Sequence, residues 1–74
     1  MSQQHHLDVA WLEPPEPMEQ AIAALESLPD GDVLVLRIHR QPYPLYDMLR
    51  NEGYCYQCEP TEDGLFRITI SRPA

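Results

Sequence analysis

The sequence lacks the features that mark membrane, secreted or nucleic-acid-binding proteins. No apolar run approaches the roughly 20 residues that a membrane span needs, and the N-terminus lacks the basic and apolar regions of a signal peptide. Positive charge is scarce, because 12 Asp and Glu stand against 5 Lys and Arg, for a net charge of -7. This balance argues against binding to nucleic acid or an anionic membrane and favours a protein partner, including one with a basic surface.

Cysteine and glycine are also rare. Two cysteines are too few for a disulfide scaffold, so we predict a reducing, cytoplasmic environment. The three glycines all occupy turn positions, which leaves no glycine-rich phosphate loop, and neither a nucleophile elbow nor a metal motif occurs. The sequence therefore favours a non-enzymatic domain with no cofactor.

The residues that are present predict one α/β domain over 1–74, with a flexible N-terminus over 1–6. Apolar residues make up 43% of the 74-residue chain, enough for one compact core. Hydrophobic patterning predicts the order βαβαββ, with strands over 7–12, 33–38, 54–59 and 65–72 and helices over 16–28 and 45–52. The run 33–38 is the most apolar and predicts a central strand that begins buried on both faces. The predicted fold is a two-layer sandwich, a four-stranded mixed sheet with both helices on one face.

The stretch from Leu7 to Met18 ends a strand and begins a helix. Each residue before a proline is pushed towards extended conformations, and prolines are tolerated in the first turn of a helix. Leu7-Asp8, Leu12 and Pro15-Glu16-Pro17 resemble the signature of the TusA/SirA-like family of small sulfur-carrier domains. That signature is Leu-Asp, two residues, Gly-Leu, one residue and Cys-Pro-x-Pro. The apolar second strand and the Asp-Gly hairpin also fit this family, so the resemblance covers nearly the whole chain.

Two positions depart from that signature. Trp11 stands where the family has glycine, and Pro14 stands where it has the cysteine that accepts a persulfide. The chain is similar to an offshoot of the family in which Pro-Pro-Glu-Pro replaces the cysteine motif. The resemblance implies a TusA-like fold and a non-catalytic interaction or regulatory module linked to sulfur, redox or anaerobic nitrogen metabolism.

Cys55 and Cys58 form a Cys-x-x-Cys spacing inside a predicted strand. Residues three apart on a strand point to opposite faces, so this pair neither closes a disulfide nor chelates a metal without a bulge. Two structural cysteines are the simpler interpretation. The alternative is a sulfur carrier or thiol-redox protein that acts through Cys55, exposed if Tyr54 and Tyr56 face the core, together with Cys58.

The loops after the first two strands are predicted to meet at the C-terminal edge of the sheet, a frequent place for ligand binding in α/β proteins. A protein contact is one interpretation of this edge, and a small metabolite in a pocket between the loops is another. The structural alternative is that Trp11 packs over the helix end and Arg40 pairs with a glutamate. The candidate binding residues are Trp11, Glu13, Pro14, Glu16, His39, Arg40, Gln41 and Tyr43.

Two further interpretations at this edge are weaker. Glu13 and Glu16 could form a carboxylate pair for acid–base chemistry, but beside prolines at a helix start they are better explained by the favourable helix dipole. His39 should lie far from His5 and His6, because it follows the second strand whereas they precede the first. A three-histidine metal site is therefore not predicted.

Overall fold

The computed structural model describes residues 3–72. It confirms the predicted order βαβαββ and the four-stranded mixed sheet. The elements are β1 (Gln4–Asp8), α1 (Glu16–Glu26), β2 (Val33–Ile38), α2 (Tyr43–Asn51), β3 (Cys55–Pro60) and β4 (Phe66–Ser71).

The strands lie in the order β1-β2-β4-β3. Strand β1 runs parallel to β2, in a register that places Leu7 opposite Leu36. Strand β4 is antiparallel to both of its neighbours. Because β1 and β2 are parallel, the loops that follow them leave the sheet at the same edge, and that edge carries the candidate site.

Side chains alternate between two faces of the sheet, and the helices pack on only one of them. Full burial of an aliphatic side chain contributes about 1.5–3 kcal/mol, so this layer supplies most of the stabilisation. The expected burial of the central strand on both faces is confirmed only in part, because Val35 is buried on the second face but Val33 and Arg37 are half-exposed there. The core joins Leu34, Leu36 and Ile38 of β2 and Ile68 and Ile70 of β4 to Ala21, Leu25, Leu45 and Leu49 of the helices.

Prolines define the starts of both helices, as their fixed φ angle and missing N–H predict. Pro15 occupies the N-cap position of α1, and Pro17 lies in its first turn. Pro44 occupies the first turn of α2, so this helix begins at Tyr43, two residues earlier than predicted. Helix α1 ends before the predicted Leu28, whose buried side chain still joins the core from the following turn.

The first strand lies further towards the N-terminus than predicted. Residues 4–6 pair with β2 and are part of the sheet, so the expected flexible segment over 1–6 is wrong for these residues; residues 1 and 2 lie outside the described part of the chain. The strand ends early because Asp8 Oδ1 accepts a hydrogen bond from the Ala10 N–H at 3.0 Å, which starts a turn. Leu12 follows this turn instead of ending the strand.

The predicted hairpin joins β3 to β4. Gly64 adopts φ +81°, the left-handed conformation that favours glycine in such loops. Its N–H donates to the Thr61 carbonyl at 3.2 Å and closes the turn. Among residues 3–72, neither helix is long and apolar enough to cross a membrane.

Candidate functional site

Trp11 and His39 join the two loops at the C-terminal edge of β1 and β2. The Trp11 backbone N–H donates to His39 Nδ1 at 2.9 Å. The two rings are stacked, with their centroids 5.3 Å apart and their planes 20° from parallel. This contact confirms that His39 lies beside the loop after β1, as the parallel pairing predicts.

Trp11 occupies an unfavourable backbone conformation for a bulky side chain. Its φ is +70°, in the left-handed region where the resembled family has glycine. This conformation costs an L-residue roughly 1–2 kcal/mol. The indole is nevertheless 73% exposed, so burial returns little of that cost. The interpretation that Trp11 packs over the helix end is therefore wrong, and the ring is held out towards solvent.

A half-open groove of about 410 Å³ lies between the two loops, and we call it the proline groove. Its apolar walls are rigid, because each proline ring fixes the backbone φ angle. A pocket at this place is the feature expected of the small-metabolite interpretation. The groove is lined by Leu12, Pro14, Pro15, Pro17 and Met18 on one side and by Ile38, His39, Arg40, Gln41, Pro42 and Pro44 on the other.

Three consecutive lining residues offer hydrogen-bond donors. His39 Nδ1 accepts from Trp11, so the proton of the neutral ring is on Nε2. Gln41 Oε1 accepts from the Tyr46 hydroxyl at 3.0 Å, which leaves the Gln41 amide nitrogen as a donor. Arg40 is exposed and makes no ion pair within residues 3–72, so the predicted pairing with a glutamate is not found.

Arg40 differs in this respect from the other cationic side chains. The chain contains five arginines and no lysine. In the described part of the chain, each of the other four arginines bonds to a carboxylate. These pairs are Arg37 with Asp8 and Asp63, Arg50 with Asp47, Arg67 with Glu59 and Arg72 with Asp30.

Tyr43 lies beside the proline groove, at the start of α2, and is 65% exposed. It meets the buried Tyr46 edge to face, with the centroids 5.8 Å apart. Tyr46 in turn stacks on Tyr56 of β3 at 4.9 Å, and burial raises the pKa of the Tyr46 hydroxyl. The exposed Tyr43 ring thus packs on Tyr46, which belongs to the hydrophobic core and packs in turn on Tyr56.

Glu13 and Glu16 are exposed, and neither lines the proline groove. Glu16 and Glu19 occupy the first turn of α1, where the helix dipole favours negative charge. The Glu13 carbonyl accepts the Glu16 N–H at 3.0 Å, so the contact between these residues is through the backbone. The geometry agrees with the dipole interpretation that we favoured over a catalytic carboxylate pair.

Both cysteines are free and lie in β3, on opposite faces as predicted. Cys55 is exposed on the face that the helices leave open. Cys58 is half-buried towards the helices, with its Sγ 3.6 Å from Gln41 Oε1. This arrangement excludes an internal disulfide without rearrangement of the strand. Neither thiol lies at a helix N-terminus, where a dipole would activate it.

A second depression, of about 450 Å³, lies on the open face and includes Arg37 and Arg67. Arg37 is held by Asp8 at 2.7 Å and by Asp63 at 2.8 Å, and Arg67 is held by Glu59 at 3.1 Å. The hydrogen bond from Thr61 and the contact with Arg37 lower the pKa of Asp63 to about 2. Since its charges are internally compensated, this depression is a weaker candidate than the proline groove.

Sequence reasoning missed a polar cluster at the opposite edge of the sheet. Asp32 is buried; its Oδ1 accepts the Gln3 N–H at 3.0 Å, and its Oδ2 is 2.7 Å from His5 Nε2. These hydrogen bonds lower the pKa of Asp32, with that from His5 the largest cause. The parallel register, which pairs Gln4 with Val33, is the signal that brings these residues together. Within residues 3–72, no group of three His, Cys, Asp or Glu side chains could hold a metal ion.

Fold and site together define a small α/β domain whose most distinctive feature is an aromatic, proline-lined edge of its sheet. The chain belongs to DUF2249, a family described as an uncharacterized conserved protein, whose sequence profile matches residues 6–72. No curated protein matches the chain.

Proposed function

We propose that this domain is a non-catalytic protein-interaction module that binds its partner through the proline groove, with Trp11 and Tyr43 as anchors. The observation that carries the proposal is the conformation of Trp11. A bulky residue in a left-handed conformation, with its ring held in solvent, contributes little to the fold. Such a residue is better explained by contact with another molecule.

The proline groove and the two exposed aromatic rings beside it have properties typical of protein-binding surfaces. Aromatic side chains dominate the hot spots of protein interfaces, and Trp11 and Tyr43 are the two large hydrophobic side chains exposed in the described part of the chain. The stacking of Trp11 on His39 and the proline walls hold the surface in shape before binding. Such pre-organisation reduces the entropy lost when a partner docks.

The same reasoning accounts for the relation to sulfur carriers. In this proposal the family is a divergent relative of the TusA/SirA-like domains, and Pro14 marks the position of the lost carrier cysteine just before α1. Proline has no thiol, so the binding edge remains while the chemistry is absent. A cytoplasmic regulatory role in sulfur, redox or anaerobic nitrogen metabolism belongs to this proposal, and the two free thiols on opposite faces of β3 are compatible with it.

Selection from a phage-displayed library of random 12-residue peptides tests the proposal. The affinity of selected peptides is then measured by fluorescence anisotropy for the wild type, Trp11→Ala and Arg67→Gln. Arg67→Gln is the control, because Arg67 lies on the open face. We expect peptides that lose affinity only for Trp11→Ala. Peptides that bind all three proteins equally, or no enriched peptide, would contradict the proposal.

A second candidate function is the binding of a small apolar metabolite. The groove volume favours it, since about 410 Å³ falls within the range of ligand pockets, roughly 300–1,000 Å³. The half-open shape is less favourable, because such pockets enclose most of their ligand. Amide NMR spectra recorded with a library of small apolar compounds discriminate the two. Compounds that shift Met18 and Ile38 and displace the selected peptides would favour the metabolite.

The thiol alternative has its own test. The protein is incubated with a cysteine desulfurase and cysteine, and its intact mass is compared with those of Cys55→Ser and Cys58→Ser. The interaction proposal predicts an unmodified mass, because both thiols lie in a strand and neither is at a helix N-terminus. A persulfide that disappears with one substitution would show that sulfur transfer has moved to that cysteine.

A further inference from the structure

We infer that the partner of the proline groove is an acidic peptide segment, which places an apolar side chain between the proline walls and a carboxylate against Arg40. This inference rests on the proposed function and specifies the chemistry of its partner. The charge at the groove differs from the charge of the whole domain. The groove carries the cationic Arg40, whereas the domain has a net charge of -7.

Charge at the groove is the first argument. Arg40 is the single charged residue among the groove-lining side chains. It is also the one arginine in the described part of the chain without a carboxylate partner, although the protein carries 12 acidic residues. Glu13 and Glu16 are near in sequence but do not line the groove. An incoming carboxylate would therefore meet an uncompensated cation there.

Hydrogen bonding gives the second argument. On one side of the groove, His39 Nε2, Arg40 and the Gln41 amide nitrogen are donors without an acceptor among residues 3–72. On the other side, the prolines have no N–H to offer. The groove thus has unpaired hydrogen-bond donors on one wall only, and a ligand that carries hydrogen-bond acceptors would complement them. A carboxylate brings two oxygens and pairs with the guanidinium of arginine in a bidentate geometry.

Shape argues for a peptide segment as the bearer of that carboxylate. The groove is half-open, and the exposed rings of Trp11 and Tyr43 belong to residues that directly adjoin its lining residues in the chain. An extended segment can place one apolar side chain in the groove and lay its neighbours on these rings. This arrangement uses the whole edge, whereas a compact molecule in the groove would leave both rings exposed.

The inference is tested with a random 12-residue peptide library displayed on phage and selected separately on three proteins. These are the wild type, Arg40→Glu and Arg67→Glu. The last variant makes the same change in charge on the open face, away from the groove. We expect the wild type and Arg67→Glu to enrich Asp or Glu next to apolar residues, and Arg40→Glu to enrich Lys or Arg at that position.

The outcomes separate the inference from the function on which it rests. Selected peptides that lose affinity for Trp11→Ala but contain no preferred Asp or Glu would overturn the inference. They would still support the proposed interaction module. The absence of any Trp11-dependent peptide would overturn both. An acidic preference that persists in Arg40→Glu would show that the carboxylate binds elsewhere, and it would also overturn the inference.

A double-mutant cycle then measures the contact in a selected peptide. Replacing its carboxylate by an amide should weaken binding by about tenfold, the scale of a charge-assisted hydrogen bond. Arg40→Gln should weaken the original peptide by a similar factor and have little further effect on the amide peptide. Independent, multiplicative losses would contradict direct pairing between the carboxylate and Arg40.

Discussion

The polar and aromatic groups at the two ends of the parallel pair β1–β2 differ in burial and in hydrogen bonding. At the N-terminal end, Asp32 is buried and binds both Gln3 and His5. At the C-terminal end, Trp11 is exposed in a strained conformation and Arg40 has no carboxylate partner among residues 3–72. At the first end a buried carboxylate is paired with its neighbours, whereas at the second an aromatic ring and an arginine are exposed without such partners among residues 3–72.

In the function that we propose, this difference separates a structural edge from a binding edge on the same small sheet. Groups that satisfy each other contribute to stability, and their loss should weaken the fold. Groups that remain unpaired contribute little to stability, and their loss should affect binding.

The largest effect is expected on binding when the exposed aromatic ring is removed. Trp11→Ala should weaken the selected peptides by at least about tenfold, as the loss of a central aromatic anchor does in other interfaces. Asp32→Asn should leave their affinity unchanged, because Asp32 lies at the opposite end of the strands. Fluorescence anisotropy with labelled peptides measures both, and equal losses in the two variants would remove the distinction between the ends.

The largest effect on stability is expected at the other end. Asp32→Asn replaces a buried acceptor of two hydrogen bonds by a side chain with one acceptor oxygen. We expect the Tm to fall by about 5 °C or more, since a buried polar group left unpaired is costly in a domain of this size. Differential scanning calorimetry gives the value, and an unchanged Tm would mean that this cluster is not structural.

Acid should reveal the same cluster through linkage. The pKa of Asp32 is lowered in the fold, so its contribution is present above its unfolded pKa of about 4 and is lost as the pH falls through the folded value. The stability gap between the wild type and Asp32→Asn, measured by urea unfolding, should therefore narrow below about pH 4. For Asp63→Asn the gap should also begin to narrow below about pH 4, and it should be lost at about pH 2, where Asp63 titrates in the fold. A gap of constant size would contradict the assignment.

A smaller effect on the Tm is expected when Arg72 is replaced, and Arg40 serves as its matched control. Arg72 donates to Asp30 and to the Leu25 carbonyl, each at 3.0 Å, whereas Arg40 makes neither kind of bond within the described residues. Arg72→Gln should lower the Tm by a few degrees, and Arg40→Gln should leave it unchanged, as is usual for an exposed side chain without partners. Thermal melts followed by circular dichroism test both; a larger loss for Arg40→Gln would indicate a structural role for that residue.

The sequence was sufficient to predict the element order, the single helix-covered face and the meeting of the two loops. Proline positions and apolar periodicity predict these features, because both depend on residues that are close together in the chain. The bounds of β1 were wrong because residues 4–6 are polar and become a strand through pairing with β2. A pattern based on hydrophobicity does not detect a strand that is held by its neighbour.

The site itself was predicted only in part. The parallel register explains why Trp11 and His39 were expected to be neighbours. The direction of the Trp11 ring depends on a positive φ angle at that residue, and nothing in a tryptophan side chain predicts it. Asp32 was not predicted as part of a polar cluster, because its partners His5 and Gln3 are distant in the chain and reach it only through the sheet.

The most direct test of the binding edge is the free energy of unfolding of Trp11→Gly, measured by urea denaturation. Glycine relieves the left-handed strain but loses the stacking on His39, so we expect stability within about 1 kcal/mol of the wild type. A loss of about 3 kcal/mol or more, the scale for removing a packed tryptophan, would show that Trp11 holds the fold together. That result would contradict the central claim that this edge is built for a partner.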